Sequence, residues 1–117
     1  MAPMTEAVAR RGRTLFLGGH QSVSPGEEPL TDDSFIAHYE RAFEKLVASL
    51  EDEGATSSDL VSIHTFVTEA PDGGGATGAV HHRYVGSGEN RPASTLFMVS
   101  ALASPAAKVE LTGIAVL

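Results

Sequence analysis

The sequence predicts an α+β domain, a mixed β-sheet with two amphipathic helices packed on one face. Three observations carry that expectation. A long segment from Thr31 to Glu53 repeats apolar residues at helical spacing, and several shorter runs are rich in β-branched and aliphatic residues. Two helices cover only one side of such a sheet, so the other face stays apolar and bare, which a monomer does not tolerate well. Assembly through that face is the simplest remedy.

Each element has its own signal. Arg13 to Gly19 (RTLFLGG) is a short apolar run ending in glycines and reads as a strand; His20 to Val23 either continues it or pairs with it. Pro25 and Gly26 make Ser24 to Pro29 a turn or loop. Thr31 or Asp32 then caps a helix that runs to about Glu53, with Gly54 as its stop. Phe35, Ile36, Tyr39, Ala42, Phe43, Leu46, Val47 and Leu50 form one stripe of it, opposed by Glu40, Arg41, Glu44 and Lys45. Asp59 to Glu69 reads as a strand. Pro71 to Gly75 is a glycine turn, and Ala76 to Val85 a second helix interrupted by Gly78. After a loop from Gly86 to Pro92, Ser94 to Ala101 and Lys108 to Leu117 are the last two strands, separated by a turn around Pro105.

The 117 residues make one domain, 1–117. With no Trp and 6% aromatics the core is mostly aliphatic, and a chain this small gains from a subunit interface. The net charge of −7 argues against nucleic acid and against an anionic membrane, both of which select Lys and Arg. The absence of Cys removes disulfides, thiolate metal sites and a Cys nucleophile. No apolar run is long enough for a signal peptide or a membrane span, so a cytoplasmic location is expected.

Few residues offer chemistry. His81 and His82 are adjacent and diverge by about 100° on a helix, so no metal site and no cofactor are expected from them. His38 falls on the polar side of the long helix and reads as solvated, while His64 alternates in a strand and reads as a core or interface histidine. His20 follows Gly18-Gly19 at a strand end, where backbone can approach a ligand closely. Glu110 sits between Val109 and Leu111, an isolated carboxylate in an apolar strand. No nucleophile-elbow, phosphate-loop or dinucleotide motif is present.

The order of these features resembles the Rid (YjgF-type, RidA-like) family along nearly the whole chain. Asn90 to Leu117 (NRPASTLFMVSALASPAAKVELTGIAVL) is similar to its Pro-Ala-Arg segment followed by a strand, a turn and a Val-Glu-Ile-Glu-Ala-Ile-Ala-like strand. Leu17-Gly18-Gly19-His20 takes the place of Ser-Gly-Gln, and Asp59 to Thr68 that of the middle strand. The resemblance implies a chorismate-mutase-like fold and a homotrimer whose sheets form a barrel, with small-molecule clefts between subunits. In the best-studied branch those clefts hydrolyse enamines and imines. An arginine clamps the substrate carboxylate there, assisted by a backbone carbonyl, a water and a glutamate on the last strand.

Three departures shape the expectation. The family arginine falls on Ser94, His20 replaces a glutamine, and the second glutamate of the last strand becomes Thr112. Arg91 stands three residues before Ser94, and an odd offset along an extended chain points to the opposite face. The site is therefore expected to use Glu110 and His20 catalytically, with Ser94, Gly19, Thr95 and Phe97 binding a substrate that differs from the family's imino acids. His20, Ser94 and Glu110 are expected to share one cleft. Losing the clamp costs roughly 1.5–3 kcal/mol, one to two decades in rate. A non-catalytic metabolite-binding or regulatory trimer is the alternative, and a ribonuclease is disfavoured by the charge.

Overall fold

The long helix forms where the apolar stripe places it, but it starts later than the sequence suggests. Residues 13–71, 75–86 and 91–117 are described by a computed structural model. The turn at 71–75 and the loop at 86–92 fall partly outside them. Helix α1 spans Phe35–Asp52, and its N-cap is Ser34, whose Oγ accepts from the Ala37 amide at 3.3 Å. Asp32 instead accepts from the Ser34 amide at 2.9 Å and shapes the preceding turn. Thr31, Asp32, Asp33 and Ser34 are all capping residue types, so composition does not decide among them. At the other end Gly54 has φ +77°, and the Gly54 and Ala55 amides close onto Glu51 and Leu50, as in a Schellman ending.

The remaining elements are β1 (Thr14–Gln21), a short 3₁₀ turn (Ser57–Asp59), β2 (Leu60–Val67), α2 (Ala76–Val85), β3 (Ala93–Met98) and β4 (Val109–Val116). The sheet order is β1-β4-β2-β3. β4 is antiparallel to both of its neighbours, whereas β2 and β3 run parallel, and α2 supplies the crossover that parallel strands need.

One face of this sheet is the core. Tyr39, Ala42, Phe43, Leu46 and Leu50 of α1 pack on Ile63, Val67, Val109, Leu111 and Ala115, all within 3% of full burial. Gly113 leaves room for core side chains: a Cβ there would stand 3.1 Å from Leu60 Cδ2 of β2. The second helix packs on the first through Phe43, which stacks on Tyr84 with centroids 5.3 Å apart. Among the described residues no helix is long and apolar enough to cross a membrane.

Among the described residues nothing covers the opposite face, as the helix count predicts. Phe16 is 78% exposed, Phe66 and Phe97 stack on each other at 5.1 Å, and all six residues of β3 are exposed.

His38 departs from expectation: it is fully buried rather than solvated. Its Nδ1 lies 2.6 Å from Ser22 Oγ and its Nε2 2.9 Å from Asp33 Oδ1, so both ring nitrogens are satisfied and burial costs little. The partners come from the segment between β1 and α1, which no helical-face argument can see.

Candidate functional site

Glu110 and Gly19 meet on the bare face. β4 alternates strictly, with Val109, Leu111, Gly113 and Ala115 buried toward the helices and Glu110 and Thr112 on the other side. The Glu110 carboxylate rests against the glycine backbone, since a Cβ on Gly19 would be 2.7 Å from Oε2. Glu110 pairs with Phe66, and Phe66 with Phe97, so these three form one row across the open face. Thr95 shares that face, in register with His64. The His64 ring stands edge-on to Phe97 at 5.6 Å and is exposed in the single chain, not in its core. An adjoining hollow of about 260 Å³ is lined by Phe16, Gly18, Ser62, His64 and Thr112 among others.

His20 and Ser94 go elsewhere, so one protomer does not gather the expected trio. In β1 Leu17 faces Gly113, but the next recorded pair is His20 with Leu111. One extra residue is inserted at Gly18-Gly19, and this bulge reverses the parity of everything after it. His20 therefore turns toward the helices, where Nε2 lies 2.6 Å from Ser49 Oγ of α1. Its Nδ1 is buried with no partner among the described residues. Ser94 pairs with fully buried Ile63 and so also points to the helix side of the sheet, at its β3 edge. Glu110, Gly19, Thr95 and Phe97 lie on one face, and His20 and Ser94 on the other.

Ser94 lines a separate cleft of about 490 Å³ between the end of α2 and the start of β3, together with His81, His82 and Arg91. The opposite-face argument for Arg91 fails because β3 begins only at Ala93, so strand alternation does not extend back to Arg91. His81 is held edge-on to Phe43 at 5.7 Å. Burial, and then the Arg91 charge, keep its imidazole below the ordinary histidine range. Adjacency made His81 and His82 look unpromising for metal; the same adjacency puts both on this rim.

The Asp33–His38–Ser22 chain has the connectivity of a catalytic triad without its accessibility. Ser22 is fully buried, and its Oγ accepts from the Lys108 and Val109 amides at 3.2 and 3.4 Å. The hydroxyl proton therefore goes to His38 Nδ1, and the ring Nε2–H donates to Asp33. Lys108 Nζ donates to the Asp33 carbonyl at 2.6 Å. The network ties β1, α1 and β4 together. Among the described residues no three His, Asp or Glu side chains gather closely enough to hold a metal ion.

The profile of the family described as Endoribonuclease L-PSP matches residues 1–117. The chain belongs to the Rid/YjgF/L-PSP family. Solved structures agree. The chain is similar to the Rid-family protein YyfB of Yersinia pestis, at 26% identity over 91% of this chain and 80% of that one, with a TM-score of 0.76. RidA of an Antarctic Psychrobacter is 25% identical over 89% and 80%, with a TM-score of 0.73. A Mycobacterium tuberculosis member of the YjgF/YER057c/UK114 family is 25% identical over 89% and 79%, with a TM-score of 0.71. No curated protein matches the chain in sequence.

Proposed function

We propose that this protein is a Rid-type hydrolase of an enamine, imine or similar small metabolite, working at a cleft that a second copy of the chain completes within a homotrimer. The observation that carries the reading is the contact of Glu110 with Gly19 on the bare sheet face. It pairs the glutamate that the Rid resemblance assigns to the reaction with a glycine expected to bind the substrate. Phe97 and Thr95 stand beside them as a binding surface. Exposure of Phe16 and Phe97 and of all of β3 supports a covering subunit. That copy would bring its Ser94 cleft toward this Glu110.

Glu110 acts as general base and acid. It takes a proton from water as the oxygen adds to the C=N carbon and passes it to nitrogen, giving a carbinolamine; it then relays the carbinol hydroxyl proton to the amine, the C–N bond breaks, ammonia leaves and a carbonyl remains. An enamine enters this path after protonation at carbon. His20, bonded to Ser49 beneath the sheet, positions β1 against α1 and takes no proton from the ligand. Ser94 sets the substrate apart from that of relatives with arginine there, and Ser94→Arg is expected to raise turnover of small imino acids.

The test is ammonia release from enamines of the 2-aminoacrylate type generated in situ. The wild-type protein should accelerate it one to two decades less than Ser94→Arg does, and Glu110→Gln should lower either rate by about 10²-fold or more. No acceleration by the wild-type protein or by Ser94→Arg would overturn the hydrolase and leave the metabolite-binding trimer.

A further inference from the structure

We infer that the cleft between the loop ahead of α1 and the β3–β4 connection binds an aliphatic α-amino acid, its carboxylate on Lys108 and its ammonium on Asp33. This site goes beyond the proposed function and does not use Glu110. The cleft has a volume of about 590 Å³, the size of an ordinary small-molecule site. Pro29, Leu30, Leu102 and Pro105 line it together with Asp33 and Lys108. No described lining residue is aromatic, and the two prolines bring no amide N–H, so the walls suit an alkyl group rather than a ring or a polar chain.

Charge selects the head group. Lys108 Nζ donates to the Asp33 carbonyl at 2.6 Å. Asp33 Oδ2 and Glu69 Oε1 lie 3.8 and 3.7 Å from the same nitrogen, beyond hydrogen-bond distance, so two of its donors remain for a ligand oxygen. Asp33 Oδ1 accepts from the His38 ring at 2.9 Å, which fixes the carboxylate and leaves Oδ2 for a ligand cation. That hydrogen bond, and then the Lys108 charge, hold the Asp33 carboxyl below its ordinary range, so it is ionised at neutral pH. A simple anion meets two carboxylates here and a simple amine meets the lysine, whereas a zwitterion matches both signs. The Lys108 and Asp33 charges stand 3.8 Å apart, so the charges of the ligand must also be close. One carbon separates them in an α-amino acid; in an ω-amino acid the chain holds them apart.

Calorimetric titration of the full chain with L-leucine tests this without any turnover. Saturable binding at one site per chain is expected. 4-Methylpentanoate, isopentylamine and 6-aminohexanoate should each bind at least about tenfold more weakly, because each lacks one charge or separates the two. Lys108→Gln should weaken leucine binding by the same factor. Ala101 is exposed in the cleft wall, so Ala101→Trp should abolish binding without changing the melting temperature, which separates loss of the site from loss of the fold. Glu110→Gln should leave the affinity unchanged. The inference would be overturned by no saturable binding, by full affinity in Lys108→Gln or Ala101→Trp, by a control ligand as tight as leucine, or by loss of binding in Glu110→Gln.

Discussion

Gly19→Ala separates the placement of the Glu110 carboxylate from the stability of the fold. The added Cβ would lie 2.7 Å from Glu110 Oε2 and 2.9 Å from Cδ, closer than real contacts allow. Gly19 has no positive φ, so alanine brings no backbone strain. The obstacle is the far end of a flexible side chain, and Glu110 can swing aside. Holding it off its preferred rotamer costs about 0.5–1.5 kcal/mol, so the melting temperature should fall by only a few degrees. The carboxylate, however, moves by about an ångström, and a displacement of that size can cost about 10²-fold in rate. Thermal denaturation should therefore show a near-native fold, while ammonia release falls toward the level of Glu110→Gln. Full turnover by Gly19→Ala, with Glu110→Gln inactive, would refute the idea that this contact sets the catalytic position.

Three further outcomes follow from the same structure. His38→Phe leaves the buried Ser22 hydroxyl without its acceptor and should cost about 1–3 kcal/mol in urea denaturation; a loss below about 0.5 kcal/mol would show the network to be dispensable. The Asp33 carboxyl is held below its ordinary value of 3.8 by the hydrogen bond from His38 and then by Lys108. Its stabilisation is therefore complete above that value and disappears as pH falls through the lower folded value, so Asp33→Asn should flatten the acid side of the stability profile, and an unchanged profile would exclude Asp33 as its source. Phe66→Glu sets a carboxylate on the bare face and should convert a species of three times 12.2 kDa into a monomer by light scattering, whereas a wild-type monomer would remove the shared cleft altogether.

The fold was largely legible because its signals are periodic. The α1 stripe, the Gly54 stop and the strict alternation of β4 all follow from spacing, and the bare face follows from counting helices. The site was legible only in part. Glu110, Thr95 and Phe97 fall on one face because regular strands alternate, and Gly19 joins them by backbone contact. His20 was misplaced because one extra residue at Gly18-Gly19 reverses parity, and two adjacent glycines permit a bulge without announcing it. Arg91 was misplaced by extending strand alternation past the start of β3. His38 was misread because its partners lie outside the helix that carries it.

The central claim is that the working cleft is shared between subunits, with Ser94 from one copy and Glu110 from another. Co-refolding two inactive variants tests it most directly, with Ser94→Trp blocking one side and Glu110→Gln removing the other. In mixed trimers each cleft has about one chance in four of receiving the intact half from both contributors. The account predicts that neither variant alone releases ammonia while the mixture regains about a quarter of wild-type turnover. A mixture that assembles into trimers and stays inactive would contradict it.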